Sequence, residues 1–373
     1  MSSADAPRKF RVAVLSVVKH AYLARGVASH PRFDLAVVAD DANQPDWIHE
    51  RNEAFAHEYG IPYVRSVEQA IAEHDVQVAA VSSEAERHCD LSVRAANAGL
   101  HVVQDKPMSN RLSECDRVVE AVERNGVKFL MWNRNFLPAL LEAREALAGG
   151  AIGEPYAFHV DFYFAKNAGP PKGSRQPGDP PSNWLESLRA AHVDGSDGGV
   201  GKEALGELAV EGCYPLAYIR MLAGVEVRRV FARTTAHFHQ RNVDHNVEDL
   251  ATVTLEMDQG LLGTICVGRI GEASHPDIGE IKLQILGSKG ALVITEAHPE
   301  VGIYYRGQPP GEWRNQRLAV DDDYLLLEDF AHAIDTDGTT ILDARASRAI
   351  AATVCAALES GRSGKPVEVG APT

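Results

Sequence analysis

The chain has 373 residues, of which 45% are hydrophobic and 24% charged, values typical of a globular protein too long for one ordinary core. Its 37 basic and 52 acidic residues give a formal net charge of −15, which argues against nucleic acid or a membrane surface as a partner. No apolar run approaches the roughly 20 residues of a membrane helix, and the five scattered cysteines, without a CxxC pair, favour reduced thiols in a cytoplasm.

Strand and helix patterns alternate through the first part of the chain. Fully apolar strands between amphipathic helices are typical of a parallel sheet that helices cover on both faces. We therefore predict a doubly wound α/β domain over residues 8–135. The predicted strands cover residues 10–15, 34–40, 61–63, 76–81, 101–104 and 128–132, and the helices cover about 21–30, 52–59, 67–73, 86–98 and 112–125.

After about residue 150, strand patterns follow one another without helices between most of them. This indicates an α+β domain over residues 136–373 with a mostly antiparallel, open sheet. The predicted strands are 156–164, 225–239, 250–257, 260–269, 281–286, 291–295 and 301–305; the helices are 207–222, 325–334 and 344–360, the last expected near the domain junction. Glycine and proline dominate parts of residues 165–206, which fit either a substrate-covering loop or a surface excursion.

The turn after the first strand lacks the glycines of a dinucleotide fingerprint. Ser16, Val18 and Ala21 stand at the three key positions, and the bulky Val18 would obstruct a close approach of pyrophosphate to the backbone. The helix N-terminus behind this turn still favours an anion. Lys19 and His20 either add positive charge there or are ordinary loop residues.

The ends of the second and fourth strands carry candidates for cofactor binding. Asp40 lies 24 residues after Ser16, close to the spacing of a carboxylate that binds the adenosine ribose, and such a carboxylate favours NAD over NADP. A helix-capping role is its alternative. Ser82 and Ser83 are small enough for a cofactor to lie over the fourth strand, and His88 follows on the next helix, where a lone histidine is more often structural.

The fifth strand ends in Asp105-Lys106-Pro107, the strongest catalytic signal in the chain. Proline biases the preceding residue towards extended geometry, which would aim the Lys106 ammonium into the cleft at the sheet edge. A lysine held there can exchange a proton with a substrate hydroxyl. Asn133 and Arg134, at the end of the sixth strand, are expected at the same rim.

Several segments together resemble the glucose-fructose oxidoreductase, inositol dehydrogenase and rhizopine catabolism (Gfo/Idh/MocA) family. The resemblance implies an N-terminal Rossmann domain that binds NAD(P) and a C-terminal α/β domain whose open sheet often forms a homodimer or homotetramer interface. It also implies oxidation of a sugar or cyclitol hydroxyl by hydride transfer, with Lys106 assisting proton transfer. The segments are residues 88–107, 133–136, 206–215, 248–250, 287–290 and 360–367.

The sequence departs from the family pattern at several positions. Asp105 replaces the usual glutamate before Lys106, and the glycine loop is missing. Val210 and Tyr214 stand where the family commonly has aspartate and histidine. Some relatives carry tyrosine at the second position, so Tyr214 is either an acid/base or orienting group or a packed aromatic. Glu211 adjoins the missing carboxylate, but one helical residue turns a side chain by about 100°.

Three functions remain open from the sequence. The first is an NAD-dependent dehydrogenase acting on a sugar, glycoside or cyclitol; the second uses NAD for redox-neutral elimination, epimerisation or glycoside cleavage; the third is a non-catalytic member that has lost its cofactor. We expect no metal, because the histidines near residue 240 fit an exposed strand and turn better than a zinc site. The expected substrate pocket uses Lys106, Arg134, Lys166, Trp184, Glu211 and Tyr214.

Overall fold

A computed structural model describes residues 8–18, 21–164, 205–237, 242–243, 246–269, 279–295, 300–305, 312–315 and 322–370. The chain divides into two compact units. Of the described residues, the first unit comprises 8–18, 21–133 and 323–348, and the second comprises those between 134 and 322 together with 349–370. Lys19, His20, Lys166 and Trp184 lie outside the described residues, as do residues 165–204 of the loop predicted over 165–206.

The first unit contains a six-stranded sheet in the order β3-β2-β1-β4-β5-β6, and every strand pair is parallel. The central strands are apolar along almost their whole length because helices cover both faces. The predicted doubly wound sheet is therefore confirmed. Its strands are β1 (Phe10–Val17), β2 (Phe33–Ala39), β3 (Tyr63–Val64), β4 (Val78–Ser82), β5 (His101–Gln104) and β6 (Phe129–Met131).

Five helices connect these strands, and a returning segment completes the unit. The helices are α1 (Ala21–Ser29), α2 (Asp46–Tyr59), α3 (Val67–Glu73), α4 (His88–Asn97) and α5 (Leu112–Asn125), with a 3₁₀ turn at Ala85–Arg87 before α4. Helix α9 (Asp322–Thr336) then packs on the turn between α1 and β2, where the rings of Tyr324 and His30 lie 4.4 Å apart and Arg32 pairs with Asp335 at 2.5 Å. Residues 323–348 thus extend the core of the first unit.

The second unit contains a nine-stranded sheet in the order β14-β13-β12-β11-β7-β10-β9-β8-β15. All its strand pairs are antiparallel except β7 with β10, so the predicted mostly antiparallel sheet is confirmed. The strands are β7 (Pro155–Phe164), β8 (Val227–Thr235), β9 (Leu250–Met257), β10 (Leu262–Gly268), β11 (Gly279–Gly287), β12 (Gly290–Thr295), β13 (Glu300–Tyr305), β14 (Glu312–Asn315) and β15 (Val367–Glu368).

The helices of the second unit differ in part from the sequence prediction. The expected helix over residues 207–222 is divided at Gly212 into α7 (Glu207–Glu211) and α8 (Cys213–Ala223). Helix α6 (Pro138–Ala148) was not predicted, whereas α10 (Ala344–Ser363) was. None of the helices in the described part of the chain is long and apolar enough to cross a membrane.

Candidate active site

The first turn at the carboxyl edge of the parallel sheet is built without glycine. Ser16 adopts a left-handed backbone conformation with φ of 65°, which glycine adopts more readily than serine. Val18 is fully buried, and its N–H donates to the Ser82 carbonyl at 3.1 Å. The backbone donor that a glycine loop would present to an anion is therefore used within the protein.

Asp40, directly after β2, is a fully buried carboxylate that accepts four hydrogen bonds. Its Oδ1 accepts from the Asp41 N–H at 2.8 Å and from Arg87 Nη1 at 2.6 Å. Its Oδ2 accepts from Asn52 Nδ2 at 3.0 Å and from Arg87 Nη2 at 3.2 Å. A carboxylate has about four acceptor positions, so each one on Asp40 has a partner within the protein.

Arg87 is shared between Asp40 and a second buried carboxylate, Glu84. Its Nε pairs with Glu84 Oε1, and its Nη2 lies 3.2 Å from Glu84 Oε2 and 3.3 Å from Ser16 Oγ. Burial lowers the pKa of Arg87, but the charges and hydrogen bonds of Glu84 and Asp40 outweigh burial and raise it overall. These three residues, called here the Asp40–Arg87–Glu84 triad, form one hydrogen-bonded cluster with a formal charge of −1.

The turn that follows β5 is clamped through its backbone carbonyls. The buried His88 places Nδ1 2.8 Å from the Pro107 carbonyl and Nε2 3.0 Å from the Ser83 carbonyl. Gln104 donates from Nε2 to the Met108 carbonyl at 3.1 Å. Because these partners are themselves buried, they hold the turn in one conformation.

Lys106 lies within this clamped turn and is 3% exposed. Its backbone N–H donates to Asp105 Oδ1 at 2.8 Å, and the Lys106–Pro107 peptide bond is cis. Aspartate is short enough to bond the backbone just after it, so Asp105 fixes the start of this turn. The sequence prediction of a lysine fixed at the sheet edge therefore has a structural counterpart in the first unit.

In the second unit, a half-buried arginine joins two carboxylates of α7. Arg269 donates from Nε to Glu207 Oε1 at 2.7 Å and from Nη2 to Glu211 Oε1 at 3.2 Å. Burial lowers the pKa of Arg269, but the charges of Glu207 and Glu211 outweigh burial and raise it overall. The sequence analysis singled out Glu211 and missed Glu207, although the spacing of four residues along a helix places both on one face.

Glu248 caps the start of α7 from the loop before β9. Its Oε1 accepts from the N–H groups of Leu208 at 3.1 Å and Ala209 at 3.3 Å. Gly206 makes this approach possible, because a Cβ there would lie 2.1 Å from Glu248 Cδ. Burial raises the pKa of Glu248 to about 7, and the charge of Glu207 adds to this increase.

Tyr214, the other predicted catalytic residue, lies on α8 of the second unit. Its ring stacks on Phe162 of β7, with centroids 5.7 Å apart and an interplanar angle of 19°, and the residue is 6% exposed. Asn133 is buried and Arg134 is half-buried. The sheet edge of the first unit thus brings together Ser16, Val18, Asp40, Ser82, Ser83, His88, Asp105 and Lys106, and Asn133 is in the same unit. Arg134, which was expected at this rim, belongs to the second unit, as do Glu211 and Tyr214.

This edge fits a dinucleotide cofactor with two conflicts, of which the Val18 N–H bonded to the Ser82 carbonyl is the first. Doubly wound domains bind the adenosine ribose at the end of the second strand, where Asp40 lies. The left-handed Ser16 supplies the tight turn that a glycine normally makes. The second conflict is that Asp40 has no open acceptor position until one of its present donors moves. No group of three candidate metal ligands occurs among the residues that the structure describes.

Comparisons with known proteins agree with this architecture. Residues 12–133 match the NAD-binding Rossmann-fold model of the Gfo/Idh/MocA oxidoreductases, and residues 144–369 match the model of their C-terminal α/β domain. A myo-inositol 2-dehydrogenase of Thermotoga maritima is 25% identical over 60% of this chain, which spans 58% of that relative. A scyllo-inositol 2-dehydrogenase (NAD(+)) of Bacillus subtilis is 23% identical over 92% of this chain and 91% of its own length.

Two solved structures show that the fold extends over nearly the whole chain. An oxidoreductase from Agrobacterium radiobacter, in complex with NAD+, L-tartaric acid and magnesium, has a TM-score of 0.77 at 16% identity and covers 97% of this chain and 99% of its own. A dehydrogenase from Bordetella pertussis, in complex with NADH and UDP-GlcNAcA, has a TM-score of 0.72 at 19% identity and covers 98% and 100%.

Proposed function

We propose that this chain, which belongs to the NAD-binding Gfo/Idh/MocA oxidoreductase family, is an NAD-dependent dehydrogenase that oxidises a hydroxyl group of a sugar, glycoside or cyclitol. The observation that carries the proposal is Lys106, buried in a turn whose carbonyls are clamped by His88 and Gln104 at the ligand-binding edge of the sheet. The inositol dehydrogenases among its relatives support a polyol substrate.

In this proposal, Lys106 accepts the proton of the reacting hydroxyl, and a bound nicotinamide supplies the hydride acceptor. The short Asp105 fixes the backbone at Lys106, so that the neutral amine that accepts the proton is presented from a rigid turn rather than from a free loop. Tyr214 is the second residue that we propose to hydrogen-bond the substrate. The formal charge of −1 on the Asp40–Arg87–Glu84 triad repels a 2′-phosphate and therefore favours NAD over NADP.

The proposal predicts that Lys106→Met removes turnover but not cofactor binding. Turnover is measured as absorbance at 340 nm over a panel of sugars, glycosides and cyclitols, and the dissociation constant for NAD by calorimetry. We expect turnover to fall by about 10²-fold or more, with a dissociation constant within about twofold of the original. Lys128→Met, in a half-buried lysine that pairs with Asp337, is the matched control and should leave turnover unchanged. Near-normal turnover in Lys106→Met would exclude Lys106 from proton transfer.

A second candidate is a non-catalytic member of the family that no longer binds cofactor. Two observations favour it: the Val18 N–H is bonded to Ser82, and the acceptor positions of Asp40 are all in use. Calorimetric titration with NAD and NADP separates the two candidates. Micromolar binding of either cofactor rules out the second candidate, whereas no binding at millimolar concentration rules out the dehydrogenase.

A further inference from the structure

We propose that Arg87 sets the affinity and selectivity of this chain for NAD, because it occupies Asp40 in the free protein and must release that carboxylate to the adenosine ribose. This inference rests on the proposed NAD-dependent function. Arg87 acts as a positioning residue, since it acts on the cofactor through Asp40. Without its release, the ribose hydroxyls would find no acceptor at the end of β2.

Arg87 is the donor that can leave Asp40 most readily. The Asp41 N–H belongs to the backbone of the strand end and cannot turn away. Asn52 is fixed at its other end, where Oδ1 accepts from the Val17 N–H at 2.7 Å. Arg87, by contrast, contacts Asp40 through the tip of a long side chain, so rotation of that side chain frees one acceptor on each carboxylate oxygen.

Glu84 makes this release possible without leaving a buried charge unpaired. Arg87 keeps its contacts from Nε and Nη2 to the two oxygens of Glu84 when it leaves Asp40. An unpaired buried cation would be strongly unfavourable, and the second carboxylate removes that cost. Glu84 is itself fully buried, so this contact is little screened by solvent.

The same contacts indicate that Arg87 does not bind the 2′-phosphate of NADP. Both edges of its guanidinium already face carboxylates, and its Nη2 also lies 3.3 Å from Ser16 Oγ. A phosphate brought to this position would meet Asp40 and Glu84 against a single arginine. The repulsion between like charges at short range therefore selects NAD.

The decisive variant is the double substitution Glu84→Gln with Arg87→Leu. It removes one cation and one anion together, so Asp40 keeps its bonds to Asn52 and to the Asp41 N–H while two acceptor positions become open. We expect the dissociation constant for NAD, measured by calorimetry, to fall by about tenfold or more. The constant for NADP should fall less, because its extra phosphate meets an unneutralised Asp40. The ratio of the dissociation constant for NADP to that for NAD therefore rises.

Two further variants keep the test interpretable. Arg87→Lys retains the charge but replaces a planar fork with a point donor that cannot span both carboxylates, so we expect NAD to bind about threefold more tightly than in the original. Arg94→Leu is the matched control, since Arg94 forms a similar bidentate pair with the neighbouring, partly exposed Asp41 at 2.7 and 2.8 Å. Its dissociation constant for NAD should stay within about twofold of the original. Circular dichroism checks that each variant is folded.

The outcomes separate this inference from the function on which it rests. If the original protein binds NAD and the folded double variant binds it no more tightly, the role of Arg87 is wrong while the dehydrogenase proposal stands. A selective loss of NADP binding in the double variant also overturns the inference, because it would assign Arg87 to the phosphate. Absence of NAD and NADP binding in both proteins would refute the proposed function itself.

Discussion

Glu248 shows how burial of one residue couples protonation to folding. Its pKa is raised to about 7 in the folded protein, above the ordinary value of 4.5, first by burial and then by the charge of Glu207. Because folding favours the protonated form, the contribution of this group to stability is fully present below pH 4.5. This contribution to the free energy of unfolding decreases by about 3 kcal/mol in total as the pH rises towards 7, and it changes no further above that pH.

This linkage predicts that Glu248→Gln stabilises the protein at pH 8 but not at pH 4.5. Glutamine keeps a carbonyl oxygen that can accept from the Leu208 and Ala209 N–H groups, and it never carries a charge. The difference in unfolding free energy between variant and original, measured with urea, should grow to about 3 kcal/mol across this interval. Glu50→Gln, at an exposed position, should show no such growth. A difference that does not change with pH would contradict the prediction.

The sequence predicts the positions of single residues more reliably than it predicts which side chains those residues contact. Counting from the first strand puts Asp40 at the end of β2, and the proline puts Lys106 in a turn, because both signals are local. Arg87 lies 47 residues from Asp40 in the chain and reaches it only after β2 and β4 take their places around β1. No local pattern encodes that approach. For this reason the sequence predicts that Asp40 is available to bind a ribose, whereas in the structure donors within the protein occupy all of its acceptor positions.

At the scale of elements, strands were easier to predict than helix boundaries. A continuous apolar run predicts β1, and an alternation of apolar and polar residues predicts β9. Both predictions succeed because the burial of a strand is visible in its own residues. The edge strands β14 and β15, of four and two residues, were missed because they depend on pairing with β13 and β8. Helix α6 was missed although it begins at a proline, a position that proline favours at the first helical turn.

The break between α7 and α8 follows from Gly212. This residue has ordinary backbone angles, φ −59° and ψ −20°, and its N–H still donates to the Leu208 carbonyl at 3.1 Å. A Cβ at this position would lie 2.4 Å from that same carbonyl oxygen. The glycine is therefore required by close approach rather than by an unusual φ, and a periodicity argument cannot detect such a requirement.

We predict that Gly212→Ala destabilises the second unit by about 1–3 kcal/mol, because the added methyl group forces α7 and α8 apart. The shift would also move Glu211 relative to Arg269, so turnover should fall with stability. Urea unfolding followed by circular dichroism measures the first effect. Gly149→Ala, where the nearest atom is the Glu145 carbonyl oxygen at a tight but wider 3.3 Å, is the control and should cost less. Equal unfolding free energies for the two variants would show that the close contact relaxes without cost.

At the scale of the whole molecule, the two units follow different rules of sheet construction. The parallel sheet of the first unit is buried on both faces, so its strands are apolar throughout. In the second unit, β9 alternates buried and exposed residues, because one face of its sheet packs against the interior and the other does not. This contrast made the fold class predictable. The return of residues 323–348 to the first unit was not predictable, since it depends on packing far along the chain.

The cysteines provide a test of where NAD acts within the whole molecule. Cys89 and Cys115 are buried thiols of the first unit, so alkylation requires that this unit open. A ligand at 100 times its dissociation constant stabilises the state that binds it by about 2.7 kcal/mol. If NAD binds the parallel sheet, alkylation of these two thiols should therefore slow about 100-fold at saturation, as measured by mass spectrometry of peptides. The half-buried Cys266 should keep its rate and serve as the internal reference. Unchanged protection of Cys89 and Cys115, at an NAD concentration that calorimetry shows to be saturating, would place the binding site outside the first unit.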